Sequence, residues 1–307
     1  MVEPGTEREQ QYHVLLERTL QAGAAVLEAG GSSEEAVEAA VGLMEDSPLF
    51  NCGHGSSVTM KGNVEMDAAI MSSDKDGRTR AGAVSSATKV RNPIRAARKV
   101  LDDDRFVLLT ADGADEFAAE AGLEMENPDY FIADWRWDLH IEHMPAELED
   151  EKHQQQLQRK TVASATSGHS AKSAVDTDTP GYGDAPRPLH RPELKFGTVG
   201  CVALDRGGNL CAGTSTGGLN NKQFRRVGDS PLIGAGTYAD GHCAVSCTGA
   251  GENFIKEVVA HSVAGMMKWG RATLAEACDE VIYGKPATVG GVSGGLVAMD
   301  ATGTAVY

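Results

Sequence analysis

A threonine that follows a glycine where a polar stretch meets a strand-like run is a candidate nucleophile of a particular kind. Thr198 stands in Phe196-Gly197-Thr198-Val199-Gly200, after a long polar segment and before apolar residues. A threonine hydroxyl is a weak nucleophile until a base takes its proton. A free α-amine, with a pKa of about 7.7–8.0, is such a base near neutral pH. A cut between Gly197 and Thr198 would therefore put nucleophile and base on one residue. Taken alone, Thr198 fits a β-hairpin equally well, because β-branched residues favour strands. Its company tips the reading: Thr214-Ser215-Thr216-Gly217-Gly218, then Arg226-Val227-Gly228-Asp229-Ser230-Pro231, then Cys247-Thr248-Gly249-Ala250-Gly251-Glu252.

An amide hydrolase needs a nucleophile, a base, donors for the oxyanion and a grip on the substrate. Thr248-Gly249 follows a strand-like run and precedes Gly251 and a helical pattern. A hydroxyl beside a glycine N–H makes a pair of oxyanion donors, since glycine lets backbone approach a ligand closely. Arg226 offers a planar fork for a carboxylate. Asp229, three residues on, can accept from an α-ammonium. Together they read as a clamp for the zwitterionic end of an aspartyl group. Arg225 points elsewhere on a strand-like path.

These motifs, in this order and spacing, resemble the plant-type L-asparaginase and isoaspartyl (β-aspartyl) aminopeptidase family of N-terminal-nucleophile hydrolases. Ser47-Pro48-Leu49-Phe50-Asn51-Cys52-Gly53 and Arg91-Asn92-Pro93 resemble the family's N-terminal half, so the likeness covers roughly residues 10–145 and 193–305. The resemblance implies an α+β, four-layer αββα sandwich and self-cleavage at Gly197-Thr198. It implies an α part over 1–197 and a β part over 198–307. It gives catalytic roles to Thr198, Thr216, Thr248 and Gly249, with Thr216 supporting the nucleophile. Substrate binding falls to Arg226, Val227, Gly228, Asp229, Thr248, Gly249, Ala250 and Gly251. Asn51 belongs near the cleavage site. The loop bearing Met44, Glu45, Ser47, Phe50, Cys52 and His54 resembles a sodium site built from backbone carbonyls, a structural sodium being the one cofactor in prospect. Implied substrates are L-asparagine and β-aspartyl dipeptides, and the implied assembly is a dimer of αβ heterodimers. A glycosylasparaginase shares the nucleophile and the clamp and stays open as an alternative. So does a non-catalytic relative, because no His-Gly-Gly-Ala-Gly run, which usually ends the family's first strand, occurs here. A lost strand beside Thr198 would leave the nucleophile loosely placed, and weak self-cleavage is the matching expectation.

Bulk properties agree with an enzyme acting on small molecules. The 307 residues are 41% hydrophobic, enough for a sizeable core. A net charge of −16 argues against nucleic acid or anionic membranes as partners. No apolar run approaches a membrane span and the first residues lack a signal-peptide core, so a cytoplasmic protein is expected. None of the six cysteines (Cys52, Cys201, Cys211, Cys243, Cys247, Cys278) forms a C-x-x-C pair, and with nine scattered histidines no zinc spacing arises. Reduced, buried thiols are expected.

The elements that must carry the motifs can be read from periodicity. Residues 7–29 give a helix with a stripe of Leu16, Leu20, Ala24 and Leu27, widened by Leu15 and Val26. Ser32 to Glu35 fits a capping box for a second helix through Met44. Strands follow at about 64–71 and 81–86, turned by Asp74 to Gly77. Asn92 caps a helix with Pro93 in its first turn, running to about Leu101. A strand at 106–110 and a helix at 114–121 come next. Residues 150–192 are rich in Gln, Ser, Thr, Asp and Pro and read as a disordered linker. Thr198–Leu204 and Leu210–Ser215 form a hairpin, Ile233–Tyr238 and Ala244–Thr248 further strands. Helices are expected over Glu252–Trp269 and Leu274–Tyr283, and a last hairpin over 291–299 and 305–307.

Overall fold

The computed structural model describes residues 5–144, 148, 151–156, 159, 197–284 and 294–307. Helix α1 (Glu7–Glu28) starts on Thr6, whose hydroxyl accepts from the Glu9 N–H. Helix α2 (Ser33–Glu45) starts on the expected capping box of Ser32 and Glu35. Strands β1 (Met66–Ser73) and β2 (Thr79–Ala87) are joined by a turn in which the Asp74 carboxylate accepts from the N–H groups of Asp76 and Arg78. Then come α3 (Pro93–Asp103), β3 (Leu108–Thr110) and α4 (Ala111–Glu120). A 3₁₀ turn (Pro128–Phe131) leads into α5 (Asp134–Glu142). The second half holds β4 (Val199–Leu204), β5 (Leu210–Thr216), β6 (Thr237–Ala239), β7 (Cys243–Gly249), α6 (Gly251–Glu257), α7 (Val259–Gly270), α8 (Leu274–Asp279), β8 (Gly294–Asp300) and β9 (Ala305–Val306).

The strands form two sheets, ordered β3-β2-β1-β5-β4 and β6-β7-β8-β9. Only the β2–β3 pair is parallel. Alternation along each strand sorts residues into layers. On β5, Cys211 joins the core beneath α2 and α3, while Leu210 and Ala212 meet Ala239 and Ala244 of the other sheet. On β7, Cys243, Val245 and Cys247 pack under α7 and α8, and Ala244 faces the first sheet. Helices, sheet, sheet, helices is the αββα sandwich. The layer between the sheets mixes Ala212, Ala239 and Ala244 with Met71 and Leu210.

Several local expectations are corrected. Helix α1 buries Leu15, Thr19 and Gly23, whereas Leu16 and Leu20 are 46% and 74% exposed. The helix period was legible, but the packing against α2 selected a different face. Asn92 makes no side-chain cap on α3; its amide turns to Asp46 and Gly42 instead. The Ile94 N–H is taken by the buried Glu45 carboxylate, 2.9 Å away, arriving from α2. The helix expected over Glu252–Trp269 breaks at Val258, which sits at φ 49°. There the first N–H groups of α7, on Ala260 and His261, are satisfied by the carbonyls of Ala235 and Gly234. Spending those carbonyls on α7 also shortens the strand expected over Ile233–Tyr238 to β6. The helix expected over Leu274–Tyr283 ends as a π turn at Glu280–Gly284.

The presumed linker starts later than residue 150. Residues 151–156 are helical, and Gln155 bonds His140 Nε2 at 2.7 Å and the Met60 carbonyl at 3.1 Å. Most of the remaining linker, and residues 291–293 of the last hairpin, lie outside the described residues. No element was assigned to 122–149, yet the 3₁₀ turn and α5 bury Phe131, Arg136, Leu139 and His140 and hold the 48–55 loop. Trp135 Nε1 donates to the Pro48 carbonyl, Arg136 Nε to the Gly55 carbonyl, and Gly55 N–H to Phe131. Among the described residues, no helix is long and apolar enough to cross a membrane.

Candidate active site

The β4–β5 register pairs Val199 with Ser215 and so brings Thr198 beside Thr216. Thr198 Oγ1 donates to Thr216 Oγ1 at 3.1 Å. Thr216 Oγ1 accepts the Gly218 N–H at 3.0 Å and spends its own proton on the Gly197 carbonyl at 3.2 Å. The same carbonyl accepts Asn51 Nδ2 at 2.7 Å. Asn51 gives its second amide proton to the Gly218 carbonyl at 2.6 Å, and its Oδ1 takes the Ser57 N–H at 2.7 Å. Two carbonyls on one side and an N–H on the other fix which amide atom is nitrogen. The Gly197–Thr198 bond thus lies between a hydroxyl poised beside it and two donors on its carbonyl oxygen.

Thr248 and Gly249 close β7, and Ala250 is the N-cap of α6 without a side-chain cap bond. Strand alternation sends Thr248 to the same side as Ala244 and Ser246, toward the first sheet. Gly200, two residues after Thr198, packs against Ser246, two residues before Thr248. Thr198 and Thr248 therefore stand one step above a common contact between the sheets.

The Arg226–Asp229 loop packs on the start of α6. A Cβ at Gly251 would lie 2.8 Å from Arg226 Nη2 and 3.0 Å from Gly228 Cα, so this approach requires glycine. Asp229 is buried and its Oδ2 has no hydrogen-bond partner among the described residues. Burial pushes its carboxyl up to about 6, with the Arg226 charge opposing. Arg226 is not idle, as a bare clamp would have it. Its Nε and Nη2 both donate to Glu252, each at 2.9 Å. That bond holds the Glu252 carboxyl below its usual range. Val227 is half-buried between them. Arg225 does turn away, its Nε 3.7 Å from Glu65 Oε1, but from a turn with φ 66° rather than along a strand.

The sequence comparisons bear on this geometry. A family described as asparaginase matches residues 2–307. The chain belongs to the asparaginase family. It is 40% identical over 299 residues to an isoaspartyl peptidase of Salmonella typhimurium, covering 97% of this chain and 84% of that protein. It is 37% identical over 299 residues to the human isoaspartyl peptidase/L-asparaginase, covering 97% and 83%. A plant-type L-asparaginase of Thermococcus kodakarensis is 39% identical over 278 residues, covering 89% and 78%.

Sequence reasoning missed three groups beside the site. Glu252 was quoted within its motif but given no task. Its place, first turn of a helix behind Gly251, was the available signal. Lys222 is buried and donates to the Glu65 carbonyl at 2.7 Å; burial lowers its pKa, with Asp67 and Glu65 opposing. Asp67 lies opposite Thr216 in the β1–β5 register, with Oδ1 on Ser85 and Ser86 and Oδ2 unpartnered among the described residues. Nothing local to the sequence marks the last two as site neighbours.

The 44–54 loop is held by its backbone. Ser47 N–H donates to Met44 and His54 N–H to Glu45, while the carbonyls of Ser47, Phe50, Cys52 and His54 take no hydrogen bond among the described residues. Burial lowers the His54 pKa, and its ring packs on Tyr130. The cysteines are free and buried or half-buried, with thiols pushed up by burial, Cys201 to about 12 and Cys278 to about 11. Held as neutral thiols, they are poor nucleophiles.

Proposed function

We propose that the chain cuts itself between Gly197 and Thr198 and then hydrolyses L-asparagine and β-aspartyl peptides to L-aspartate. The observation that carries this reading is the Thr198–Thr216 hydroxyl contact beside a Gly197 carbonyl that already receives Asn51 and Thr216. In maturation, Thr198 Oγ1 attacks the Gly197 carbonyl carbon. Asn51 Nδ2 and the Thr216 hydroxyl hold the resulting oxyanion. The Thr198 hydroxyl proton passes to the departing amide nitrogen as the C–N bond breaks, leaving an ester on Oγ1 and a free α-amine, and water hydrolyses the ester to release the Gly197 carboxylate and restore the hydroxyl.

In turnover that α-amine takes the Thr198 hydroxyl proton as Oγ1 attacks the substrate's side-chain carbonyl. Thr248 Oγ1 and the Gly249 N–H receive the oxyanion. Ammonia or a peptide amine leaves with the proton, and water releases aspartate from the acyl-enzyme. Asp229 binds the α-ammonium. Arg226, steadied by Glu252 on Nε and Nη2, presents Nη1 to the α-carboxylate.

The free carbonyls of Ser47, Phe50, Cys52 and His54 suit a hard monovalent cation. A sodium ion held there would fix the loop that carries Asn51. A dimer of αβ heterodimers working in the cytoplasm completes the proposal; the family resemblance supports the assembly, and the charge of −16 is compatible with a small-molecule enzyme.

A denaturing gel with mass measurement tests the reading. Purified protein should give pieces 1–197 and 198–307 and release ammonia from L-asparagine. Thr198→Ala should stay whole and Thr198→Ser should cut slowly. Cleavage of Thr198→Ala at the same bond would indicate an outside protease and overturn the self-cleavage mechanism.

A further inference from the structure

Directly beneath the proposed site lies a second layer made of hydroxyls. Thr214 of β5, Thr237 of β6 and Ser246 of β7 are all buried, at 0%, 0% and 3% exposure. Thr237 and Ser246 form a cross-strand pair in the second sheet. Thr214, from the first sheet, inserts its Oγ1 between them, 2.6 Å from each hydroxyl. Thr237 Oγ1 also lies 3.0 Å from the Ser230 carbonyl.

Thr214 Oγ1 also lies 3.3 Å from the Gly236 carbonyl. The two carbonyls only accept, so the hydroxyl protons are shared between the Ser230 and Gly236 carbonyls and the links among the three side chains. The seam thus joins β7 through β5 to β6 and reaches the clamp loop at Ser230. Two of the three hydroxyls, and the carbonyl that Thr237 reaches, are near neighbours in sequence of proposed site residues. Thr214 is two before Thr216, Ser246 two before Thr248, and Ser230 one after Asp229. Gly200, two after Thr198, leaves Ser246 its space, since any Cβ there would overlap the serine side chain.

The two sheets otherwise meet through apolar contacts that include Ala212, Ala239 and Ala244. Such contacts set a separation but resist sliding poorly, because they are non-directional. Short buried hydrogen bonds are directional. We infer that Thr214, Thr237 and Ser246 are positioning residues that fix the register of the oxyanion and clamp groups on the second sheet against the nucleophile pair on the first. This rests on the proposed hydrolytic function. It also separates two reactions. Self-cleavage draws on Thr198, Thr216 and Asn51, all held by the first sheet and the 51–57 loop. Turnover needs both sheets. The seam therefore serves turnover and not maturation.

The test is a set of full-length variants scored for self-cleavage rate, kcat and KM with L-asparagine, and melting temperature. Ser246→Ala cuts only the β5–β7 link. It should mature at the wild-type rate while kcat falls about tenfold, below the roughly hundredfold cost of a 1 Å misplacement, and KM stays within about twofold. Thr237→Val severs the clamp loop and should raise KM several-fold. Thr214→Val breaks both links. Thr214→Ser restores the hydroxyl and should recover most of kcat, which separates hydrogen bonding from side-chain bulk. Should Thr214→Val fail to fold, Ser246→Ala and Thr214→Ser carry the test. Ser246→Ala slowing maturation and turnover equally, or leaving kcat unchanged, would overturn the inference. A wild type that neither cuts itself nor hydrolyses asparagine would overturn the function, and the seam's role with it; that outcome shows before any variant is made.

Discussion

The two halves of the site are finished to different degrees. Around Thr198, hydroxyl and amide protons find acceptors within the chain, and Asn51 alone joins two carbonyls, an N–H and the Gly217 N–H through its own carbonyl. The groups that touch the Gly197–Thr198 bond are neutral and mutually satisfied, while Asp67, opposite Thr216, keeps an Oδ2 without a partner among the described residues. Around Asp229 the groups are charged and incomplete: a buried carboxylate oxygen lacks a partner among the described residues, and Arg226 is steadied by a Glu252 that is itself half open to solvent. Buried polar atoms are normally paired. Under the proposed function the difference follows from where the ligand comes from: the nucleophile half would act first on the Gly197 carbonyl, covalently in place, and the clamp half on a charged ligand that arrives from outside.

The largest expected effect breaks the first half alone. Asn51→Ala removes a donor from the Gly197 oxygen and should slow self-cleavage by about 10²–10³-fold, as loss of one oxyanion donor commonly does. Pulse-chase gels would measure it. Unchanged cleavage would mean the two-donor carbonyl is incidental.

Arg226→Lys breaks the second half alone. Lysine cannot reproduce a planar fork, and a charge-assisted bond is worth about 1.5–3 kcal/mol, or about 10–100-fold in affinity. KM for L-asparagine should rise by that factor while maturation keeps its wild-type rate. Coupled loss of both would show that the halves are not separable.

A smaller effect sharpens the comparison through pH. Asp229 has a carboxyl raised to about 6 by burial. The anion that meets an α-ammonium is present above that value and lost as pH falls through it. L-Aspartate binding, followed by calorimetry, should weaken by about tenfold per pH unit below pH 6. Asp229→Asn should bind weakly throughout with a flat profile.

The smallest effect concerns Glu45, which lies behind β5 rather than in the clamp. Its carboxyl is raised to about 8 by burial, against hydrogen bonds from Ser215 and Ile94. The folded state holds this proton more tightly than the unfolded chain. The stability it contributes is full below the ordinary value of 4.5 and is lost as pH rises toward 8. Thermal melts should show a decline across that window, and Glu45→Gln should flatten it by a few degrees, while the cleavage rate changes little.

Much of this architecture was legible in the sequence because it is local. The capping box at Ser32 and Glu35, the Asp74 turn and the β4–β5 hairpin each depend on residues a few positions apart, and the chain forms them as read. Thr198, Thr216, Thr248, Arg226 and Asp229 were singled out because a chemical task would restrict residue type and spacing together; the fold sets Thr198 beside Thr216 at strand ends and packs the Arg226–Asp229 loop on the start of α6, just after Thr248. What the sequence could not determine depends on partners distant along the chain. Which face of α1 is buried was settled by α2, and where the long C-terminal helix breaks was settled by carbonyls of the 234–235 loop. Glu45 capping α3, Lys222 buried beside Glu65, and Thr214 joining Thr237 and Ser246 across two sheets are pairings between segments far apart in sequence. Hydrogen-bond partners are chosen by proximity in space, and only the packed sheets bring those side chains within 3 Å of one another.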